Sequence, residues 1–367
     1  MTWPLIALLL TAGPASSRPA AAQVAVDVYQ QTNLVSDIPG LAMLTDPNLV
    51  NPWGMSHSAT SPFWVSNAGT ATSTLYAVNG ATGAATINPL VVTTPGPISG
   101  QVFNGSGDFG LSSGGPARFI FAGLDGTISG WNPSVPTAAQ AASLAPGAVY
   151  TGLALASSGG SQYLYAANNA AGTIDVYDSS FALTSLPGNF TDPTLPGGNA
   201  PFNVTLVDGE LFVTYEGPGA IVNVFGTDGT LHRRFASGGT LLNPWGVALA
   251  PATFGKYAGA LLVGNFNHGD PAIGPGWINA FDPLSGAFLG LLEDPNHQPI
   301  AIDGLWQLLF GNGANGGRAD ALYFAAGIDD ETHGLFGSLQ AVPEPGAGAL
   351  LAALAVPALL LLCRRRA

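Results

Sequence analysis

Residues 49–54 read Leu49-Val-Asn-Pro-Trp-Gly54, and residues 242–247 read Leu242-Asn-Pro-Trp-Gly-Val247. Two such similar hexapeptides, so far apart in one chain, mark internal repetition, which has to be recognised before any other pattern is read. Each is followed by an apolar run, Phe63-Trp-Val-Ser-Asn67 and Leu261-Leu-Val-Gly-Asn265. A polar or glycine-containing turn then leads to a further run, Ser73-Thr-Leu-Tyr-Ala-Val78 and Gly276-Trp-Ile-Asn-Ala-Phe281.

The middle run has four more copies: Arg118-Phe-Ile-Phe-Ala122, Tyr163-Leu-Tyr-Ala-Ala-Asn168, Leu211-Phe-Val-Thr-Tyr215 and Leu322-Tyr-Phe-Ala-Ala326, at steps of 44 to 61 residues. Asn/Asp turns such as Asn79-Gly80 and Asp228-Gly229 close several of the hairpins. The run preceding each copy is small and apolar, as a strand beside a crowded axis requires. These leading runs are Trp53-Gly-Met-Ser-His57, Phe109-Gly-Leu-Ser112, Thr151-Gly-Leu-Ala-Leu-Ala156, Phe202-Asn-Val-Thr-Leu206, Trp245-Gly-Val-Ala-Leu-Ala250 and Leu305-Trp-Gln-Leu-Leu309. Three strands and a fourth, six times over, predict an all-β chain folded as a six-bladed β-propeller across residues 23–339. The alternative is a β-sandwich or two stacked β-domains, which the lack of a Pro/Ser-rich linker disfavours. The sixth copy runs out of downstream sequence, so Val24-Ala-Val-Asp-Val-Tyr29 to Asn33-Leu34-Val35 is expected to supply its outer strand.

Composition agrees. Of 367 residues, 50 are Gly and 29 Pro, while only 8% are charged, which excludes coiled coils and helical solenoids. Five basic residues face 21 acids between residues 23 and 339, so a nucleic-acid surface is excluded. The one cysteine, Cys363, lies beyond this body, which therefore has neither a disulfide nor a thiolate metal site.

The ends read as addresses. Residues 1–22 carry an apolar core, Leu5-Ile-Ala-Leu-Leu-Leu10, followed by small residues up to Ala20-Ala-Ala22, the pattern of a signal peptide removed by signal peptidase. Residues 340–367 hold Pro343-Glu344-Pro345, an uncharged stretch from Gly346 to Cys363, and Arg364, Arg365 and Arg366. The stretch is long enough for a transmembrane helix, and the arginines would stay cytoplasmic. This tail resembles the PEP-CTERM sorting signal of Gram-negative bacteria. The resemblance implies an exosortase as partner, a membrane-anchored precursor, and a mature protein at the cell surface or in the extracellular matrix, where a polysaccharide is a candidate partner.

Within the body, Asn51-Pro-Trp-Gly54, Ile302-Asp-Gly-Leu-Trp306 and Ala326-Gly-Ile-Asp-Asp-Glu-Thr-His-Gly334 resemble an uncharacterised exported bacterial family with such tails. More distantly, the repeats resemble NHL-type and lactonase-type propellers. That resemblance implies a fold shared by binding scaffolds and metal-dependent hydrolases, so fold alone does not choose.

Propeller geometry puts the starts of first strands and the ends of second strands on one face, around the channel. Reading those positions gives Asn51, Asn67, Asn168, Glu216, Asn243, Asn265 and Asp303. Oxygen donors of this kind suit Ca²⁺ or Mg²⁺, with Asn168, Glu216, Asn265 and Asp303 as the candidate metal set. The plainer reading is that such residues cap strand ends and turns. Asn51, Asn67 and Asn243, with Trp53, Trp245 and Trp306 at matching repeat positions, form a candidate ligand surface with an aromatic floor. Packing between blades is the competing role for the three indoles. The expected function is a non-enzymatic, exported propeller that binds a ligand or partner. The alternatives are a metal-dependent hydrolase of lactonase type and a purely structural matrix protein.

Overall fold

Each set of runs folds into one sheet, five of them with four antiparallel strands in chain order and the sixth completed by strands from the N-terminal part, and the six surround an axis. The structure, a computed structural model, describes residues 28–267 and 276–342. The innermost strands are Pro52–Ser56, Ile98–Phe103, Tyr150–Ser158, Ala200–Val207, Pro244–Leu249 and Leu305–Phe310. The second strands are Phe63–Asn67, Phe119–Gly123, Ser161–Asn168, Glu210–Glu216, Leu261–Asn265 and Ala321–Ala326. Second and third strands read as continuous apolar runs because both faces of a blade are covered by its neighbours. The buried side chains accordingly form six separate cores, one for each pair of adjacent blades. Between the first and second blades, for example, Trp64 stacks on Phe119 with ring centroids 4.0 Å apart.

Closure follows the expected route. Val28–Ser36 pairs antiparallel with Leu335–Val342, the third strand of the sixth blade, in a register running from Val28↔Val342 to Ser36↔Leu335. Leu44–Thr45 then adds a short parallel strand outside it. Tyr29 carries the closure into the fifth blade: its buried hydroxyl donates to the Phe254 carbonyl at 3.0 Å and accepts from the Tyr257 N–H at 3.2 Å.

One strand differs from expectation. The innermost strand of the second blade is Ile98–Phe103, not Phe109–Ser112. Phe109 has φ +62° and sits in the long connection to the second strand. Its N–H bonds to Ser179 of the next blade, and its ring packs edge-on to Phe181 at 5.3 Å. It is an apolar anchor between blades that imitates the leading run of a repeat. The signal-peptide residues 1–22 and the sorting motif Pro343, Glu344, Pro345, Arg364, Arg365 and Arg366 lie outside the described residues. Among the described residues, no helix is long and apolar enough to cross a membrane.

Candidate functional site: the axis of the ring

Pairing across the first two strands of each blade matches Pro52 with Asn67, Tyr150 with Asn168, Ala200 with Glu216 and Pro244 with Asn265. These four side-chain positions therefore share the face where the innermost strands begin. Most of their polar groups are engaged locally, the buried Asn67 Oδ1 excepted, which has no hydrogen-bond partner. The Asn168 Oδ1 accepts from the N–H groups of Val149 and Ala171, and the Asn265 Oδ1 from that of Leu242. The Asn67 Nδ2 donates to Thr72 and Thr74, and the Glu216 Oε1 accepts from the Asn169 Nδ2 at 2.7 Å. Asp303 accepts the Asp329 N–H at 2.9 Å and Asn51 accepts the Trp53 indole N–H at 2.9 Å, whereas at Asn243 it is the main-chain carbonyl that accepts, from the Phe266 N–H. Among the described residues, no three His, Cys, Asp or Glu side chains converge where they could hold a metal ion.

Asn168 also belongs to a buried network. Its Nδ2 donates to Asp175 at 2.8 Å, and Asp175 accepts the Tyr150 hydroxyl at 3.0 Å. Burial, reinforced by the Tyr177 hydroxyl and the Asp175 carboxylate, pushes the Tyr150 phenol far above its ordinary value, so it stays a neutral donor. On the same face the hydrogen bond to Asp37 lifts the His333 imidazole above its ordinary value. That pair ties the closing strand to the sixth blade, with Nδ1 and Oδ2 2.6 Å apart.

The innermost strands share an irregularity. In all six, the ladder to the second strand slips just after its first pair or two, leaving Trp53, Ser99, Thr151, Phe202, Trp245 and Trp306 at the slip. A bulge of this kind re-aims a side chain. The four aromatics among the six meet on the axis with Phe266 in one buried cluster. Trp306 lies between Trp53 and Phe266, stacked on each at 3.6 Å, and Trp245 stands edge-on to Trp306 at 5.5 Å. Trp53 is 7% exposed and Trp245 and Trp306 are 1% exposed. The three indoles are brought together as the sequence suggested, but as a septum packed through its thickness rather than as a floor open to this face. The Trp245 indole N–H crosses the channel to the Thr151 carbonyl at 3.0 Å, and the Ser99 hydroxyl bonds to the Tyr150 carbonyl.

The next residue along the innermost strands is Gly54, Gly100, Gly152, Asn203, Gly246 or Gln307. At the glycines, adjacent blades touch backbone to backbone. A Cβ on Gly54 would lie 2.4 Å from the Ser99 carbonyl oxygen, and one on Gly246 would lie 2.4 Å from that of Trp306. Neither glycine has a positive φ, so close approach is the reason for them. Where Asn203 replaces glycine, its Nδ2 donates to the Trp245 carbonyl of the next blade at 2.9 Å.

Beyond this layer the channel opens as a well of about 270 Å³. Trp245 forms its floor, Met55, Leu153 and Val204 line its walls, and Leu206 and Leu309 edge a mouth on the face where the innermost strands end. At that rim the two ring nitrogens of His57 lie 3.0 Å from the Ser58 carbonyl and 2.9 Å from the Phe310 carbonyl, tying the first blade to the sixth. Among the described residues, no Asp, Glu, Lys, Arg or Cys lines the well. Its residues, Trp245 apart, were not singled out from the sequence as site residues. The signal for them is the small-residue position of each leading run, which locates the point where the ring is tightest and hence where the channel divides.

The chain is 31% identical over 342 residues to uncharacterized protein R648 of Acanthamoeba polyphaga mimivirus, covering 86% of this chain and 81% of the viral protein. It is equally 31% identical over 341 residues to protein L690 of the same virus, covering 86% of each. These relatives are viral and not bacterial, so they lend nothing to the resemblance to an exported bacterial family. No protein-family model matches. Among solved structures, a protein of unknown function from Bacteroides thetaiotaomicron is similar over 85% of this chain and 72% of that one, with TM-score 0.52 and 10% identity. Virginiamycin B lyase from Staphylococcus aureus aligns over 86% of this chain and 99% of its own, with TM-score 0.49 and 14% identity. Likenesses at these identities concern the fold alone.

Proposed function

Since the chain belongs to the family of the mimivirus proteins R648 and L690, whose names carry no activity, we propose from the geometry of the axis that it is a binding propeller and that the well is its ligand site. The observation behind this reading is the septum: a channel closed at one end and open at the other is a cup. Concave, mostly apolar cavities with a few polar groups are the usual form of small-molecule sites. Binding is preferred to hydrolysis because the described lining offers no carboxylate, and most polar groups of the opposite face are engaged in capping. Filling the mouth tests the site. Leu206 is 40% exposed, so Leu206→Trp should leave the fold intact, and combined with Leu155→Trp, at a half-buried position that also lines the well, it should obstruct the entrance. Ligand-observed NMR with a set of neutral fragments should give hits on the wild type that disappear with the double variant. Hits that persist unchanged, or no hits at all, would remove the well as a site.

Export completes the proposal: signal peptidase removes the leader, an exosortase recognises Pro343-Glu-Pro345, and the propeller acts at the cell surface or in the matrix. This rests on the composition and order of the two ends alone. Deleting Pro343–Pro345 should leave the protein in the membrane fraction of a Gram-negative host with an exosortase. Release at the wild-type rate contradicts the sorting role.

A further inference from the structure

Resting on the reading of the well as a binding site, we infer the class of its occupant: a small, uncharged, largely apolar molecule carrying a hydroxyl or amide group. Size comes first. An apolar cavity of about 150 Å³ accommodates benzene, so a well of about 270 Å³ holds a molecule of roughly ten non-hydrogen atoms. Drug-sized ligands occupy larger sites, and a polysaccharide chain does not fit.

Charge comes second. Among the described residues, no Asp, Glu, Lys or Arg lines the well, and both ring nitrogens of its one histidine, His57, lie against main-chain carbonyls. An ion placed there would lose its hydration without gaining a counter-charge, which is strongly unfavourable. The acid excess of the chain further repels anions from the mouth.

Hydrogen bonding comes third. The Gln101 amide is spent on the carbonyls of Gly54 and Trp64, and the Asn203 amide on the Trp245 carbonyl and the Val204 N–H. Thr205 has one long contact, 3.5 Å from the Asn203 Nδ2. Gln307 uses its Nε2 on the Leu308 carbonyl, leaving its own carbonyl oxygen as an acceptor. These two stand on the fourth and sixth blades. In addition, alternate residues of an antiparallel edge turn both N–H and C=O away from the paired strand, here toward the axis. The well therefore offers donors and acceptors together, which one hydroxyl or amide can use, against walls that are otherwise apolar.

Four matched probes test this: 4-bromobenzyl alcohol, 4-bromobenzoate, 4-bromobenzylammonium and, as the apolar reference, 4-bromotoluene. Binding is followed by bromine quenching of Trp fluorescence, since Trp245 forms the floor. The alcohol should bind at least about tenfold more tightly than either ion, and the Leu155→Trp/Leu206→Trp variant should lose it. Thr205→Val/Gln307→Leu should weaken the alcohol by about five- to tenfold and leave 4-bromotoluene unchanged. If either ion binds as tightly as the alcohol, or if the polar variant weakens 4-bromotoluene equally, the class is wrong while the site stands. If none of the probes binds but other fragments remain sensitive to the blocked mouth, the class again fails alone. If nothing is sensitive to the blocked mouth, both readings fail.

Discussion

Deleting Val28–Ser36 is expected to abolish cooperative folding of the ring, not merely to fray one sheet. The strand makes eight register pairs with Leu335–Val342, and without it the last blade presents a bare edge, a template for aggregation. The loss spreads in both directions. Leu34 and Val35 belong to the core shared with the first blade, and Tyr29 to the core shared with the fifth. In urea, the wild type should unfold in one transition, while the truncated chain should be aggregated or lack a transition. Tyr29→Ala is the graded version. Removing a fully buried aromatic costs about 3–5 kcal/mol, and here the Phe254 carbonyl and the Tyr257 N–H lose their partner as well. A truncated chain that melts within a few degrees of wild type would show that the closing strand is an accessory.

Gly54→Ala and Gly246→Ala should each destabilise the protein by about 3 kcal/mol, at the upper end of the usual cost of overpacking. The added methyl meets a backbone oxygen at 2.4 Å in both cases, and a strand held on both sides by its own ring cannot yield as a side chain would. Gly197→Ala is the control. Nothing lies within 4 Å of that Cβ and its φ is not positive, so its midpoint in urea should match that of wild type. Equal stability of all three variants would mean that the blades can spread, and that the ring is not set by contact at this layer.

The blades were legible in the sequence because a strand covered on both faces is a continuous apolar run, and turn residues separate such runs at nearly constant intervals. The second blade was misread at its start. Ile98-Ser-Gly-Gln-Val-Phe103 carries its small residues at the bulge, and Phe109-Gly-Leu-Ser112 offered a better match to the repeats. The equivalence of Trp53, Trp245 and Trp306 was also legible. Their common fate was not, because it depends on where six bulged residues meet across an axis, with Phe202 and Phe266 completing the stack. Likewise the positions of Asn168 and Asn265 followed from strand direction alone. Their engagement depends on turn N–H groups from Val149, Ala171 and Leu242, whose orientation no spacing rule reports. Strand direction and residue type therefore point to the face where the innermost strands begin, whereas the cavity opens on the other.

The pairing of Val28 with Val342 also places the two ends of the folded chain side by side. Third strands run toward the face on which the innermost strands end, and fourth strands return from it, so both ends leave the rim on the side where the well opens. Joining them by a short linker and cutting the chain at the Asp208-Gly209 hairpin should give a permuted ring with the same blades. More consequentially, any tether beginning beyond Val342 draws the mouth of the well toward whatever surface it is fastened to. A molecule reaching the well must then travel through the gap between the ring and its anchor, and the length of that tether sets the width of the gap.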